Sequence, residues 1–327
     1  MPVFTSNFLP TIPFRNSHFN TMYRPLFMKD TATYSRKRIT TWDHDFFDLD
    51  FSFTGSETLV LLIHGLEGSS DSKYMAANTN HLNCKGLDTV CFNLRGCSGE
   101  DNLQLATYHS GKTEDVSFVV DHLLENYSYK NIIIVGFSLG GNLTLKYLGE
   151  KGENISPLIK GGIAVSVPID IASAELEMDK LKNKLYIEMF FKTMKNKVLE
   201  KAFKFPEYNL DQEKLFKATK FKHLEHLYTV PVFGFKSPED YWKKASSKPY
   251  LLNIKRPTLL INAKDDTFLS RKCFPYEEAE NSEFFFFEET KFGGHVGFMT
   301  SFKPLENRWL EFRIARFIKE NIQIDIL

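Results

Sequence analysis

Short apolar runs alternate along the chain with segments in which apolar residues recur every three or four positions. Thr58–Ile63 is a run of the first kind, and residues 112–125 are of the second kind, with Val116, Val119 and Val120 on one helical face. Continuous apolar strands alternating with helices are typical of a mostly parallel sheet covered by helices on both faces, so we predict an α/β fold. The predicted strands cover residues 38–42, 45–53, 58–63, 88–93, 131–135, 161–167, 257–262 and 283–287, and the predicted helices cover residues 72–83, 112–125, 143–148 and 305–318.

Two segments depart from this alternation within what we predict to be a single domain over residues 1–327. About residues 1–35 are interrupted by prolines and are predicted to form an irregular N-terminal arm. About residues 170–255 show helical spacing without a convincing strand, which indicates a helical lid insertion between two strands of the sheet. Because ligands of open α/β sheets bind beyond the carboxyl ends of the strands, such a lid would cover the binding site.

The predicted lid is rich in lysine and phenylalanine. Between Lys180 and Lys222 there are 12 lysines and 5 acidic residues. Such a stretch is usually a solvated helical face, although a positive rim could also favour anionic substrates or membrane surfaces. The phenylalanines could form the core of the lid or line an apolar acyl pocket; they are Phe190, Phe191, Phe203 and Phe205.

The bulk composition excludes several classes of function. The 41 basic residues balance the 41 acidic residues, which gives no indication of a nucleic-acid partner. Four cysteines in 327 residues do not form a disulfide framework, and no C-x-x-C pair indicates a metal site. The sequence shows neither a signal peptide nor a run of 18 apolar residues. We therefore expect a soluble, cytoplasmic protein without a stable membrane anchor.

One serine stands out at a junction between a predicted strand and a predicted helix. The β-branched run that ends at Val135 is followed by Gly136-Phe137-Ser138-Leu139-Gly140, which fits the G-x-S-x-G nucleophile elbow. The glycines would allow a strained turn that exposes Ser138 at the N-terminus of a helix, where backbone N–H groups can stabilise an oxyanion. The sequence therefore predicts Ser138 as a nucleophile.

A serine nucleophile requires a base, and in this kind of fold the acid and the histidine follow it along the chain. His295 lies in a glycine-rich loop between the last predicted strand and the last predicted helix, which is where the base is expected. His223 and His226 lie in the charged lid segment and are expected to be solvated. Two aspartates follow the preceding strand; we prefer Asp266 as the group that orients the histidine and keep Asp265 as the alternative.

The tetrahedral intermediate of such a reaction needs two N–H donors. The residue after the nucleophile, Leu139, supplies one, and the loop after strand 58–63 supplies the other, for which Leu66 is the expected residue. His64 opens this loop and is expected to support it rather than to take part in catalysis.

The motifs around these residues resemble those of the YheT-like family of α/β-hydrolases, which includes eukaryotic abhydrolase-domain esterases and lipases. The resemblance extends over nearly the whole chain. The Arg-Gly motif followed by Tyr-His-Ser-Gly is more specific than the elbow, because many hydrolases share the elbow. The matching motifs are DFFDLD at 45–50, HGLEGS at 64–69, RGCSGE at 95–100, YHSG at 108–111, GFSLGGN at 136–142, DD at 265–266 and GGHVGF at 293–298.

The chain also departs from the family pattern at three places. An arginine usually precedes the Tyr-His-Ser-Gly motif, where this chain has residues 105–107, Leu-Ala-Thr. The early His-x-Gln-Thr element is His-Phe-Asn-Thr at residues 18–21, and the usual Asp-Asp-Pro ends in Thr267. None of these changes affects the three predicted catalytic residues, but the first two could alter a structural contact or the choice of substrate.

The resemblance implies an α/β-hydrolase fold, a Ser138–Asp266–His295 triad and hydrolysis of carboxylic esters. From the residues themselves we expect an acyl-enzyme to form at Ser138, and no metal or organic cofactor is implied. It leaves the substrate open among short-chain esters, monoacylglycerols and phospholipids. Transient contact with a membrane surface is compatible with the basic lid. An acyltransferase that uses the same triad and a non-catalytic binding protein are the alternatives, and the complete triad favours catalysis.

Two further residues near the predicted site have competing interpretations. Arg95 could either brace its loop or contact the substrate. We prefer the bracing role, with Glu100 or Asp115 as the partner. His109 is expected to be a packed, hydrogen-bonded loop residue.

Overall fold

A mostly parallel sheet forms the centre of the protein. The computed structural model describes residues 2–303 and 306–327, except for the side chain of Leu185. The strands in these residues are β1 (Val3–Thr5), β2 (Ser35–Thr40), β3 (Phe46–Ser52), β4 (Thr58–Ile63), β5 (Asp88–Asn93), β6 (Asn131–Phe137), β7 (Ile159–Val165), β8 (Thr258–Ala263) and β9 (Phe285–Thr290). They form one sheet in the order β1-β9-β8-β7-β6-β4-β5-β3-β2. β3 is antiparallel to both β2 and β5, and the other pairs are parallel, which confirms the predicted fold class.

Helices cover both faces of this sheet. They are α1 (Ser17–Phe27), α2 (Lys73–Cys84), α3 (Thr113–Asn126), α4 (Leu139–Lys151), α5 (Ile171–Met178), α6 (Lys184–Lys204), α7 (Gln212–Lys217), α8 (Phe221–Leu224), α9 (Val230–Phe233), α10 (Pro238–Ala245), α11 (Tyr276–Glu280) and α12 (Trp309–Phe317). Successive side chains of a strand point to opposite faces. Leu61 of β4 accordingly joins an apolar cluster with Val116 of α3, whereas Val60 joins a second cluster with Leu82 of α2 and Ile314 of α12.

The N-terminal segment is more regular than the sequence predicts. β1 pairs in parallel with β9, and α1 begins after Asn16, whose side chain accepts a hydrogen bond from the Phe19 N–H. Asn20 of α1 is buried and donates to the carbonyls of Phe14 and Met299, at 2.7 and 3.1 Å. The prediction of an irregular arm is therefore wrong. The prolines of this segment obscure a strand and a helix whose partners lie at the other end of the chain.

Element bounds differ from the predicted ones by a few residues in several places. β7 and β9 are displaced by about two residues, which is the usual uncertainty at element ends. The last helix begins at Trp309 and continues beyond Phe317 into a wide turn at Ile318–Ile322. Its predicted start, Leu305, lies outside the described residues.

Six helices, α5 to α10, lie between β7 and β8, and no strand is found among the described residues of this insertion. The insertion has an apolar cluster of its own, in which Val198, Leu215 and Leu224 pack with Leu105 from the loop after β5. The helical insertion expected from the sequence is therefore present. No helix in residues 2–303 or 306–327 combines the length and the apolarity that a membrane span requires.

Candidate active site

Ser138 lies on a sharp turn between β6 and α4. Its φ is 53°, in the left-handed region that residues with a side chain rarely adopt. A Cβ atom at Gly136 would overlap the Gly140 carbonyl oxygen, and one at Gly140 would overlap the Ile63 carbonyl oxygen. The glycines therefore let the turn pack closely against the end of β4, and the serine is held directly before the N-terminus of α4.

A continuous chain of hydrogen bonds connects Ser138 with His295 and Asp266. His295 lies in the loop after β9, and Asp266 lies in the loop after β8. His295 Nε2 is 2.8 Å from Ser138 Oγ, and His295 Nδ1 is 2.8 Å from Asp266 Oδ2. Because an ionised carboxylate only accepts, the proton belongs on Nδ1, which leaves Nε2 to accept from the serine hydroxyl. The three residues selected from the sequence thus lie in contact, in the arrangement that activates a serine.

Asp265, the alternative acid, contacts the backbone of the histidine loop. Its Oδ1 accepts a hydrogen bond from the Gly294 N–H at 2.9 Å. Burial raises the pKa of Asp265 to about 6; the Gly294 amide opposes this shift and the charge of Asp266 adds to it. The two aspartates therefore have different contacts: Asp266 faces the imidazole and Asp265 supports the loop that carries it.

Two hydroxyl groups also hold the histidine loop. Thr21 Oγ1 of α1 accepts from the His295 N–H, and Ser166 Oγ, directly after β7, accepts from the Val296 N–H, both at 2.9 Å. Sequence reasoning missed both residues. The family-like His-Phe-Asn-Thr element contains Thr21 and could have drawn attention to it, whereas no sequence pattern indicates Ser166.

The two expected oxyanion donors line the same cavity as Ser138. Leu139 is the first residue of α4, where a backbone N–H has no acceptor within the helix. Leu66 lies in the loop after β4, and its N–H makes no backbone hydrogen bond within the described part of the chain. Both amides are therefore free to donate to a ligand.

His64 is fully buried beside this loop. Its Nε2 accepts from the Leu94 N–H at 3.1 Å, so Nδ1 carries the proton and donates to the Gly65 carbonyl at 2.7 Å. Burial lowers the pKa of His64 to about 4, which keeps the ring neutral. These contacts agree with the predicted supporting role.

Arg95 is buried among carboxylates rather than exposed to a substrate. Its ion-pair partners are Asp43, Asp45 and Asp115, at 2.9, 2.8 and 3.1 Å. The predicted bracing through Asp115 is confirmed. The alternative prediction, that Arg95 pairs with Glu100, is wrong, because Glu100 pairs with Arg38 at 2.7 Å.

The other histidines considered from the sequence do not contact Ser138. His109 packs against three aromatic rings of the insertion, and burial lowers its pKa to about 3. His223 and His226 are exposed, as expected.

A cavity of about 660 Å³ opens beside the predicted nucleophile and base. Its mainly apolar walls come from α1, from the loops after β4 and β5, and from helices of the insertion. Phe190 of α6 lines it, whereas Phe203 is exposed and Phe191 and Phe205 pack inside the insertion. The phenylalanines of the lid segment therefore divide between the cavity wall, the lid core and the surface.

Two carboxyl groups interrupt the apolar lining. Glu175 of α5 and Glu225, directly after α8, both line the cavity, and Trp242 Nε1 donates to Glu225 Oε2 at 2.8 Å. Burial, with a smaller effect from neighbouring acidic groups, raises the pKa of Glu175 to about 7 and the pKa of Glu225 to about 8. The sequence does not predict these residues, since acidic residues in a charged helical segment are usually exposed.

Comparisons with known proteins agree with this architecture. Residues 58–300 match the family described as the alpha/beta hydrolase fold. "Putative esterase YheT" of Escherichia coli (strain K12) is 30% identical over 322 residues, covering 96% of this chain and 93% of that protein. Phospholipase ABHD3 of Homo sapiens is 27% identical over 332 residues, covering 98% and 81%.

A solved structure supports the fold in addition. The Pyrococcus furiosus esterase Pf2001 matches with a TM-score of 0.59 at 19% identity, covering 88% of this chain and 91% of that chain. A likeness at this level of identity bears on the fold alone. The chain therefore belongs to the α/β-hydrolase family, in the YheT-like group that its motifs predict.

Proposed function

We propose that the protein is a serine hydrolase that cleaves carboxylic esters, with Ser138 as nucleophile, His295 as base and Asp266 as the group that orients the imidazole. The observation that carries this proposal is the hydrogen-bond chain through these side chains, 2.8 Å at each link, beside an apolar cavity. The names of the relatives, an esterase and a phospholipase, support carboxylic esters as the substrate class.

In the proposed first step, Ser138 Oγ attacks the ester carbonyl carbon while His295 Nε2 takes the hydroxyl proton. The carbonyl electron pair moves onto the oxygen, and the N–H groups of Leu66 and Leu139 stabilise the negative charge. The bond to the alcohol then breaks, the alcohol leaves with the proton from His295, and an acyl-enzyme remains at Ser138.

Water completes the cycle. His295 Nε2 takes a proton from a water molecule that attacks the acyl carbon, and the resulting tetrahedral intermediate releases the carboxylic acid. The leaving Ser138 oxygen recovers its proton from His295. Asp266 keeps Nδ1 protonated and stabilises the imidazolium that forms in each half of the reaction.

The cavity favours esters with short or lipid-like acyl groups, because its walls are mainly apolar. The basic surface of the insertion would favour transient contact with an anionic membrane surface, without a stable anchor.

The proposal includes no nucleic-acid partner and no cofactor. It treats the chain as one domain with an ordered N-terminal arm at about residues 1–35, which contains β1 and α1, and a lid at about residues 170–255. All four cysteines are free, which supports the cytoplasm as its compartment.

Hydrolysis of p-nitrophenyl esters of increasing chain length tests this function. Replacing Ser138 by Ala should lower kcat on the best ester by on the order of 10³-fold or more, because the nucleophile is lost. Ser128→Ala, in an exposed loop after α3, is the matched control and should keep the wild-type rate. Equal rates for Ser138→Ala and the wild type would contradict the proposal.

Addition of an acceptor alcohol separates hydrolysis from acyl transfer. Hydrolysis predicts the free acid as the main product at every alcohol concentration tested. A dominant new ester would show that the acyl-enzyme prefers the alcohol to water, and the absence of any turnover of a folded protein would favour the non-catalytic alternative.

A further inference from the structure

The loop that carries Leu66 is held from two sides. From α2, the hydroxyl of Tyr74 accepts a hydrogen bond from the Gly65 N–H at 2.9 Å. On the other side, the Glu67 N–H donates to the Tyr108 hydroxyl at 3.0 Å, and that hydroxyl donates to Glu67 Oε1 at 2.6 Å. Glu67 has a φ of 53°, so these contacts hold a backbone conformation that is unfavourable for a residue with a side chain.

The insertion holds the second oxygen of the same carboxylate. Lys197 of α6 places its Nζ 2.9 Å from Glu67 Oε2. The side chain of Glu67 is only 5% exposed, and that of Lys197 is 27% exposed. Removing one partner of a buried ion pair leaves an uncompensated charge, which is strongly unfavourable. The position of Glu67 therefore depends on a residue that the insertion supplies.

Lys197 also lies close to the reaction site. It lines the same cavity as Ser138 and Leu66. Its partner Glu67 is the residue directly after Leu66. A displacement of Glu67 would move the Leu66–Glu67 peptide group and, through the Cα atom of Leu66, turn the Gly65–Leu66 peptide group that carries the Leu66 N–H. Oxyanion stabilisation depends on donors aimed accurately at the developing charge, so such a rotation affects the transition state more than the ground state.

We propose that Lys197 is a positioning residue for ester hydrolysis: by holding Glu67 it fixes the Leu66 N–H in the direction that stabilises the oxyanion. The insertion then contributes to kcat as well as to the choice of substrate. This inference rests on the proposed function, because it assigns Leu66 the role of oxyanion donor.

A neighbouring lysine anchors α6 independently of this contact. Lys201, one helical turn after Lys197, is fully buried and donates from Nζ to the carbonyls of Asn102 and Gln104, at 2.5 and 2.8 Å. Lys201 also pairs with Asp101 at 3.1 Å. Substitution of Lys197 therefore removes its contacts with Glu67 and with Cys97 Sγ, which is 3.7 Å from Nζ, while Lys201 keeps α6 attached to the loop after β5.

Steady-state kinetics of Lys197→Met with a short-chain p-nitrophenyl ester test the proposal. Losing one oxyanion donor outright costs about 10²–10³-fold, so a misdirected donor should lower kcat by about tenfold, with KM changed less than twofold. Lys197→Arg should restore most of the rate, because a guanidinium can pair with the same carboxylate. Lys192→Met, exposed on the same helix, is the matched control and should behave as the wild type.

A double-mutant cycle that combines Lys197→Met with Glu67→Gln measures the coupling of the two residues in kcat. Independent structural roles of the two residues would not produce such a coupling. Because the two residues act as a pair, the double variant should be no slower than the slower single variant. Thermal melting shows whether Lys197→Met is folded. If it is not, Glu67→Gln tests the proposal alone, because its amide oxygen can still accept from the Tyr108 hydroxyl. An unchanged kcat in both single variants, or a raised KM at constant kcat, would overturn the proposal.

Ser138→Ala distinguishes this failure from failure of the proposed function. If Ser138→Ala is inactive while Lys197→Met matches the wild type, only the positioning role is wrong. If Ser138→Ala retains the wild-type rate, the assignment of the reaction itself is wrong.

Discussion

Backbone strain and hydrogen bonding coincide at Ser138 and beside His295, two of the residues proposed for catalysis. Ser138, Ser166 and Val296 have φ values of 53°, 55° and 56°. Conformations of this kind cost on the order of 1–3 kcal/mol each and persist only where the surroundings hold them. The hydrogen bond from the Val296 N–H to Ser166 Oγ joins two of these residues directly. The fold therefore stabilises an unfavourable backbone where the serine and the histidine must meet.

The two aspartates after β8 should differ in their effect on activity. Asp266→Asn should lower kcat by on the order of 10³-fold, because an amide in contact with Nδ1 no longer fixes the catalytic tautomer or stabilises the imidazolium. Asp265→Asn should lower kcat less than about tenfold, because the amide oxygen can still accept from the Gly294 N–H. Ester hydrolysis by the two purified variants measures this difference.

Their equal size makes the two variants controls for each other. A large loss in Asp265→Asn together with a small loss in Asp266→Asn would reverse the assignment of the acid. Melting curves for both variants would show whether either loss comes from unfolding.

The insertion brings two acidic groups into the cavity wall from different elements. Glu175 belongs to α5 and Glu225 follows α8, and both carboxyl groups have pKa values above the usual 4.5 because of burial. Between about pH 4.5 and pH 8 the folded state therefore retains protons that the unfolded state releases. The contribution of this pair to stability is fully present below about pH 4.5 and is lost as the pH rises through about 7 and 8.

Glu225→Gln should remove part of this pH dependence. At about pH 9 the variant should be more stable than the wild type by on the order of 2 kcal/mol, since one unit of pKa corresponds to about 1.4 kcal/mol and the two carboxyl groups share the effect. The amide oxygen can still accept from Trp242 Nε1, so packing should be retained. Urea unfolding at about pH 6 and about pH 9 measures the free energy of unfolding of both proteins.

Glu283→Gln provides a control at an exposed position and should leave the pH dependence unchanged. A free energy of unfolding that falls equally in Glu225→Gln and the wild type between the two pH values would show that Glu225 does not carry a raised pKa.

At the scale of the whole molecule, local patterns predicted the central part of the fold. Strands such as Thr58–Ile63 are continuous apolar runs, and the elbow around Ser138 is a compact motif, so both are readable from neighbouring residues. The contact between His295 and Asp266 was also predictable, because a serine, an acid and a histidine in this order along the chain are characteristic of the fold. Choosing Asp266 over Asp265 depended on a preference, since both aspartates follow the same strand.

Features formed by distant segments were not predictable in this way. β1 becomes a strand by pairing with β9, and Thr21 reaches the His295 N–H from the other end of the chain. The contact between Lys197 and Glu67 joins the insertion to the loop after β4, and neither residue is distinguishable from an ordinary charged residue in the sequence. Such contacts are properties of the assembled fold rather than of local pattern.

Labelling with a fluorophosphonate tests the central claim most directly, because it reports an activated serine without requiring knowledge of the substrate. Intact mass and peptide mapping should show a single adduct on the peptide that contains Ser138, and the adduct should be absent in Ser138→Ala. A folded wild-type protein that remains unlabelled, both alone and with a detergent that opens the lid, would contradict the claim that Ser138 is an activated nucleophile.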